Sequence, residues 1–324
     1  MPEFVMLNRI NQCFKKLPLA TRGLVEPTLA LLCASSFAVS AQASSPKVPE
    51  SAKATASAIY QMQPRQLDRY LQELFLNEAS LTKRIEQIAR RNLGQPYKLN
   101  LLGEFPYQIH DELPLYSLSA SDCVVFIEHT YAMALSKNWD QFFWTLQRIR
   151  YRDGVIGVAT RNHYMEVDWH PANNWLMHEV TDTLAPGQLG YYEMQVDRAA
   201  FLARQHGVKV QRPVENSRQA YLPVTVFLAN LSKLQSGDLI EVVTQLPEQT
   251  MVTHTALALA DADGRIQMVH ASAPQVREES FASFIQRTQE RQAKSAKQRL
   301  LGFKVLRLRE RIQFPPMLAP SRPD

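Results

Sequence analysis

THTALALADADGRIQMVHAS, residues 253–272, is the stretch that decides the fold class of this chain. Two runs of aliphatic and β-branched residues, 253–260 and 265–272, flank a short polar segment that contains Asp263-Gly264. Apolar runs separated by this kind of turn are typical of an antiparallel hairpin. We therefore predict two paired strands here.

Further strands are predicted on both sides of the hairpin, at GDLIEVVT (237–244) and LGFKVLRLR (301–309). The N-terminal half instead has apolar residues three and four apart, which is the helical spacing. Four helices are predicted there, within 64–76, 80–94, 121–135 and 139–150. Residues 151–215 lack clear periodicity, so long loops with short strands and a helix near 196–206 are expected. Helices followed by an antiparallel sheet indicate an α+β fold.

The first 43 residues have the composition of a secretory signal peptide. A basic segment precedes the apolar run TLALLCASSFAV (28–39), and SAQA (40–43) supplies a small-residue cleavage site. The run is too short to span a membrane. An exported, periplasmic protein is predicted, with lipidation at Cys33 as the lesser alternative because Leu31 and Leu32 fit poorly before a lipidated cysteine. Residues 44–63 are predicted to be a flexible linker, 64–312 one catalytic domain and 313–324 a disordered tail.

The net charge does not indicate a nucleic-acid partner. The chain has 36 basic and 31 acidic side chains, a formal charge of +5. Four of those basic and two of those acidic residues lie within the predicted signal peptide. The remaining positive charge is spread out, apart from QRTQERQAKSAKQR (286–299), which is more typical of a solvated helix or loop than of a phosphate-binding patch.

Signal cleavage would remove Cys13 and Cys33 and leave Cys123 as the only thiol. An unpaired thiol in an oxidising compartment must be buried and inert, or used. Cys123 lies in the first turn of the predicted helix 121–135, for which Ser121 is the expected N-cap. A helix N-terminus lowers the pKa of a thiol, whereas the charge of Asp122 opposes thiolate formation, so a nucleophilic Cys123 needs a base.

His254 and His270 are the candidates for that base and its orienting partner. If the hairpin loop has an odd number of residues, such as Ala262-Asp263-Gly264, the two imidazoles fall on the same face of the sheet. A two-residue Asp-Gly turn would place them on opposite faces. The same-face register would give the arrangement of nucleophile, base and orienting residue found in catalytic triads.

The order of short motifs resembles one known family of enzymes. LGQPY (93–97), DCVVF (122–126), GDL (237–239), HTALAL (254–259) and MVHAS (268–272) resemble the successive blocks of NlpC-type cell-wall cysteine peptidases. The block IRYRDGVIGVATRNHYMEVDWHPANN (149–174) narrows the resemblance to the N-acetylmuramoyl-L-alanine amidase-like branch. It extends over about residues 64–310. It implies a papain-like α+β fold in which the nucleophile helix packs on an antiparallel sheet.

The resemblance implies roles for four residues. Cys123 would be the nucleophile, His254 the general base and then acid, and His270 the third member of the triad. Tyr97 would lie near the site. The substrate would be peptidoglycan or a muropeptide, and no cofactor or metal would be needed.

The middle block supplies candidate substrate-binding residues. Arg161 is a candidate for binding a carboxylate of the stem peptide, and aromatic side chains suit the faces of sugars. The set is Arg161, His163, Tyr164, Asp168 and Trp169. The competing interpretation is that an Arg–Asp pair and a packed tryptophan only hold a long loop in place.

Three alternatives remain open from the sequence. An endopeptidase of the same chemistry would cut within the stem peptide, between γ-D-glutamate and the diamino acid. A zinc hydrolase could draw ligands from Asp168 and five histidines at 163, 170, 178, 254 and 270, although no HExxH motif occurs. A glycan-binding module without catalysis is the third, and intact Cys123 argues against it.

Overall fold

The predicted hairpin lies inside an eight-stranded sheet in the computed structural model, which describes residues 57–103, 113–294 and 297–315. The paired strands of the described residues are all antiparallel. They are β1 (Met177–Glu179), β2 (Gly190–Val196), β3 (Glu215–Pro223), β4 (Asp238–Gln245), β5 (Thr250–Ala260), β6 (Ile266–Ser272), β7 (Gln275–Glu279) and β8 (Arg299–Leu308). The spatial order is β2-β3-β8-β4-β5-β6-β7, and β1 also pairs with β8.

Helices cover both faces of this sheet. They are α1 (Pro64–Asn77), α2 (Leu81–Arg91), α3 (Cys123–Ala134), α4 (Trp139–Arg150), α5 (His170–Ala172), α6 (Thr181–Leu184), α7 (Arg198–His206), α8 (Val224–Ala229) and α9 (Phe281–Ala293). Short 3₁₀ turns occur at Ile59–Gln61, Arg152–Gly154 and Leu231–Lys233, and a π-helical turn at Met165–Trp169 precedes α5. Among the described residues, no helix is both long enough and apolar enough to cross a bilayer. The predicted α+β class is confirmed.

Helix α3 begins at Cys123, one residue later than its predicted cap implies. Asp122, not Ser121, is the N-cap, and its side chain accepts a hydrogen bond from Val125 N at 2.8 Å. A carboxylate at this position also suits the positive end of the helix dipole. Every residue from Val125 to Ala134 is buried.

The register of the central hairpin corresponds to the odd-loop alternative. Ala260 pairs with Ile266 and Leu257 with Val269. Asp261 N also donates to Arg265 O at 2.8 Å, which leaves residues 262–264 as a three-residue turn. Gly264 has a φ of 79°, a left-handed conformation that glycine adopts without strain. Side chains at 254 and 270 therefore share one face of the sheet.

The sheet has a hydrophobic cluster on each face. On one face, residues of α1–α4 pack together with Leu257 and Val269. On the other face, Phe281 and Phe284 of α9 pack with Ala256 and Met268. Alternate residues of β5 and β6 thus belong to different clusters, as the period-two alternation of a strand requires.

Two predicted boundaries need correction. Ile59 and Met62 are 1% and 7% exposed and belong to the first cluster, so the flexible linker predicted at 44–63 extends too far into the folded domain. At the other end, Phe314 belongs to the predicted disordered tail (313–324), yet its ring lies 5.0 Å from that of Trp175. The tail was therefore predicted to begin too early. The predicted signal peptide (1–43) and residues 316–324 lie outside the described residues.

Candidate active site

The segment before α3 is held in place by the block LGQPY. Ser121 N donates to Pro96 O at 3.0 Å and Lys98 N donates to Ser121 O at 3.1 Å. The Gln95 side chain accepts from Ser121 Oγ at 2.7 Å and donates to Leu118 O at 2.6 Å. Gln95 is 5% exposed. Backbone and side-chain contacts of this block therefore fix the start of α3.

Tyr97 lies beside the start of α3. It forms a parallel bridge with Ser121, and its backbone N–H donates to Pro274 O at 2.9 Å. This bridge puts Tyr97 next to a residue only two positions from Cys123. The position is suitable for a side chain that borders the site, whereas the role of the phenol stays a prediction.

The thiol of Cys123 is a partly buried, free cysteine that contacts β5. Burial and the charge of Asp122 raise its pKa to about 11, although the N–H and hydroxyl of Thr255 and the N–H of Val124 oppose the increase. The helix N-terminus is therefore not sufficient to make a thiolate, because desolvation and the neighbouring carboxylate outweigh it. Cys123 is therefore a thiol at rest, and it would need a base to act as the predicted nucleophile.

Thr255, which lies against the thiol, directly follows the predicted base His254. His254 Nε2 is 2.7 Å from His270 Nδ1, and the two ring centroids are 5.0 Å apart. The ring of Phe284 stacks on His254 at 5.8 Å and meets His270 edge-on at 5.5 Å. The structure thus brings the two predicted imidazoles together between the sheet and α9. Cys123 lies against Thr255 on the opposite face of β5, the face that α3 covers, so the structure does not bring the thiol into contact with the imidazole pair.

Burial lowers the pKa of both histidines, and for His254 the nearby His270 and Arg277 lower it further. Both imidazoles are therefore neutral at neutral pH. His254 Nδ1 has no hydrogen-bond partner among the described residues. A neutral imidazole with an unoccupied nitrogen can accept a proton.

Glu279 of β7 completes this polar chain and was not predicted from the sequence. His270 Nε2 lies 2.7 Å from Glu279 Oε1, and the side chains are 0% and 9% exposed. The same carboxylate accepts hydrogen bonds from Arg277 and Arg287. The only signal in the sequence is that VREES (276–280) follows the strand of His270 closely, which allows a neighbouring strand to return beside it.

Four of the predicted substrate-binding residues line one cavity of about 680 Å³. They are Arg161, His163, Tyr164 and Asp168. Burial raises the pKa of Asp122, while the N–H of Val125 and the charges of Arg150 and Arg161 lower it. Arg161 therefore lies on the cavity wall and within electrostatic range of the residue that precedes Cys123.

Asp168 and His163 of this set make hydrogen bonds inside the protein. Asp168 accepts from Arg198 Nε at 2.7 Å and from Tyr164 N at 3.0 Å. His163 Nε2 lies 2.7 Å from Val158 O, and burial lowers the pKa of this imidazole to about 3. His163 is hence a neutral donor to a carbonyl, and Asp168 holds its loop. For Asp168, the loop-holding interpretation fits the contacts better than substrate binding, and its partner is Arg198 rather than Arg161.

The prediction for Trp169 needs correction. Its side chain is 0% exposed, and its indole N–H donates to Glu128 Oε1 at 3.2 Å. Arg150 lies 3.2 Å from the other oxygen of the same carboxylate. A ring enclosed in this way has no face to offer a sugar, so Trp169 belongs to the core beneath the cavity.

The match to a protein-family profile covers residues 87–291, more than half of the chain. The profile describes AmiA-like, N-acetylmuramoyl-L-alanine amidase-like proteins. This chain belongs to that family.

Solved structures resemble the AmiA-like chain in fold. A Legionella pneumophila protein of the DUF1460 family aligns at 19% identity with a TM-score of 0.65, over 75% of this chain and 95% of its own. An N-acetylmuramoyl-L-alanine amidase from Bacteroides uniformis aligns at 22% identity with a TM-score of 0.56, over 71% and 99%. No curated protein sequence matches the chain significantly.

A second residue that the sequence did not indicate supports the strand of His254. The register between β4 and β5 shifts so that Val242 pairs with His254 and Val243 with Val252, which leaves Thr253 as the extra residue of a bulge. Glu166 Oε1 accepts from Val252 N at 2.7 Å at this bulge. Bulges re-aim side chains beside functional sites. In this AmiA-like chain, Glu166 thus binds the backbone at the bulge that precedes His254.

The zinc alternative finds no ligand set in the described part of the chain. Residues 57–103, 113–294 and 297–315 contain no group of three His, Cys, Asp or Glu side chains arranged to hold a metal ion. His170 instead pairs with Glu241 at 2.8 Å, and His163, His254 and His270 have the partners given above.

Proposed function

We propose that this AmiA-like protein is an exported cysteine hydrolase that cleaves the amide between N-acetylmuramate and L-alanine in peptidoglycan fragments. The observation that carries the proposal is the thiol of Cys123 at the start of α3, in contact with Thr255 of the strand that also bears His254. His254 is bonded to His270 on the other face of that strand. Family membership supports the substrate class. The NlpC-type, papain-like assignment rests on the order of the motifs.

The mechanism begins with proton transfer from the thiol. Sγ of Cys123 attacks the lactyl carbonyl carbon while its proton passes to Nδ1 of His254; the contact between these two atoms is part of the proposal. The tetrahedral intermediate then expels the amine of L-alanine, which takes the proton from the His254 imidazolium. A water molecule, deprotonated by His254, hydrolyses the thioester and restores the thiol.

The start of α3 offers a donor for the developing oxyanion. The backbone N–H of Cys123 donates to no described residue, whereas Val125 N and Phe126 N are bonded to Asp122. N–H groups in the first helical turn are unpaired within the helix and point toward its N-terminus. A negative oxygen formed beside Sγ would lie where this N–H can bind it.

The cavity is suited to an anionic substrate because its positive charge exceeds its negative charge. Arg148 pairs with Asp153, and Arg198 pairs with Asp168 and Glu215. Two further lining arginines, at positions 152 and 212, have no acidic hydrogen-bonding partner on their side chains among the described residues. Burial lowers the pKa of Arg152, and the charge of the nearby Arg212 lowers it further. Stem-peptide carboxylates would neutralise this pair.

Arg152→Met is therefore expected to raise KM for a muropeptide about tenfold and to leave kcat within about twofold, because it removes a charge-assisted contact far from the reacting bond. Steady-state kinetics on a defined disaccharide tetrapeptide measures both constants. The control is Arg218→Met, an exposed arginine of β3 that is absent from the cavity lining. Equal KM values for both variants and the unchanged protein would contradict carboxylate binding at Arg152.

Export is proposed from the N-terminal sequence. Cleavage after Ala43 would leave a mature chain with Cys123 as its single thiol. An unpaired thiol is compatible with the periplasm when it is partly buried and protonated, and both conditions describe Cys123 here.

Product analysis tests the bond that is cleaved. A disaccharide tetrapeptide treated with the mature protein is expected to give free disaccharide and a tetrapeptide that begins with L-alanine, identified by mass. Formation of a disaccharide dipeptide would instead establish the endopeptidase alternative. Intact substrate, with the folded state verified by circular dichroism, would reject hydrolysis of muropeptides altogether.

A further inference from the structure

The hydrogen bonds behind His254 continue through His270 to an anchored carboxylate, that of Glu279. His254 Nε2 meets His270 Nδ1 at 2.7 Å, and His270 Nε2 meets Glu279 Oε1 at 2.7 Å. His270 uses one ring nitrogen for His254 and the other for Glu279, whereas His254 uses only Nε2. The position of each proton along these hydrogen bonds then depends on whether the carboxyl group of Glu279 accepts or donates a hydrogen bond.

Glu279 is held as a carboxylate. Arg287 makes two hydrogen bonds to it, one of them 2.6 Å from Nη2 to Oε1, and Arg277 Nε lies 3.2 Å from the same oxygen. Hydrogen bonds from His270 and Arg287 lower the pKa of Glu279 strongly in spite of its burial. An ionised carboxylate only accepts hydrogen bonds. His270 must therefore donate from Nε2.

That requirement fixes the proton on the second imidazole. A neutral His270 with its proton on Nε2 has a lone pair on Nδ1, so Nδ1 accepts and His254 must donate from Nε2. A neutral His254 with its proton on Nε2 then has its lone pair on Nδ1. Nδ1 is the nitrogen without a partner among the described residues.

We infer that Glu279 is a positioning residue that fixes the tautomers of His270 and His254, so that the lone pair of the base is on Nδ1. The inference rests on the proposed cysteine mechanism for its consequence, because only a lone pair on Nδ1 can take the thiol proton. It concerns proton positions that the folded protein has in the absence of substrate.

Glu279 also acts through its charge. Arg277, Arg287 and Arg291 surround the imidazole pair from β7 and α9. The carboxylate is the negative group among them, and it stabilises the imidazolium that forms when His254 takes a proton. Its removal disfavours that imidazolium, so the acid limb of the pH profile of kcat/KM should move to lower pH.

Two substitutions separate the acceptor from the charge. Glu279→Gln keeps an acceptor for His270, since its amide oxygen can occupy the Oε1 position where His270 and both arginines donate, but it loses the charge. Glu279→Ala loses both. With no acceptor left, nothing fixes the proton of His270 on Nε2, and a proton on His254 Nδ1 would disable the base. The matched control is Glu278→Gln, whose carboxylate pairs with Arg90 and not with a histidine.

The primary experiment is long-range ¹H–¹⁵N NMR of the imidazoles in ¹⁵N-histidine-labelled protein, which identifies each tautomer and needs no activity. Both imidazoles should have the proton on Nε2 in the unchanged protein, in Glu278→Gln and in Glu279→Gln, and Glu279→Ala should show a mixture. A proton on Nδ1 of His254 in the unchanged protein, or unaltered tautomers in a folded Glu279→Ala, would overturn the inference.

Kinetics on the muropeptide gives a second measurement. Glu279→Ala should lower kcat about 10²-fold or more with little change in KM, as expected when a base adopts the wrong tautomer. Glu279→Gln should recover most of that loss, with the acid limb moved to lower pH. In Glu279→Gln, an acid limb at the original pH together with an unchanged kcat would also refute the inference. This outcome can be measured even if Glu279→Ala does not fold. Hydrolysis that persists in Cys123→Ala would defeat the proposed function, whereas the NMR result would still decide the tautomers.

Discussion

Cys123→Ala is expected to lower the hydrolysis of a defined muropeptide by at least about 10⁴-fold, because the acyl-enzyme route cannot begin without the sulfur. Sγ is only partly buried and donates no hydrogen bond that α3 requires. The variant should therefore keep the thermal midpoint of the unchanged protein within a few degrees. Mass analysis of the products over a time course measures the loss.

Two further treatments distinguish the thiol mechanism from metal chemistry. Iodoacetamide should inactivate the unchanged protein by alkylating Cys123 once, with protection by excess muropeptide. Because the resting thiol has a raised pKa, alkylation should be slow near neutral pH and faster as pH rises toward about 11. Chelators should have no effect. Full activity of Cys123→Ala, or loss of activity with a chelator, would reject the cysteine mechanism.

The parts of the fold that the sequence predicts well are those with strong local periodicity. Helix α3 is rich in apolar residues and follows a capping residue, so its existence followed from local pattern, whereas the choice between Ser121 and Asp122 as cap did not. Ser121 is used in a contact with Gln95, 26 positions away in sequence. A competing tertiary contact of that kind has no local signal.

The hairpin of His254 and His270 illustrates the same limit. Its two strands were evident from composition. The register depended on whether two or three residues form the turn, and the sequence was compatible with both turn lengths. The side chain of Asp261 accepts from Asp263 N and from Arg265 N, each at 2.9 Å, which stabilises the longer turn. The same-face pairing of the imidazoles therefore rests on one aspartate at the end of the strand.

Strands β2 and β3 were expected only as short strands among loops. In β2, exposed and buried residues alternate, as in Tyr191 and Tyr192. In β3, a run of half-buried residues interrupts this alternation. Glu166 and Glu279 were missed for another reason. Each acts on a residue distant in sequence or on a neighbouring strand, so their importance is visible only after the chain has folded.

Trp169→Ala is expected to lower the free energy of unfolding by about 3–5 kcal/mol, the usual cost of removing a large buried aromatic side chain. Here the loss has two parts. The cavity left in the first hydrophobic cluster removes packing contacts. In addition, Glu128, which is 1% exposed, would lose the indole N–H that it accepts alongside Arg150. An unsatisfied buried carboxylate adds to the cost.

Urea unfolding followed by circular dichroism measures this effect, and Trp144→Ala is the matched control. Trp144 lies on α4 with 47% of its surface exposed, so the same change should cost less than about 1 kcal/mol. Trp169→Phe should fall between them, because it keeps most of the ring but not the donor. The sugar-platform interpretation makes the opposite prediction, a higher KM with unchanged stability. A Trp169→Ala variant as stable as Trp144→Ala would therefore restore that interpretation and remove Trp169 from the core.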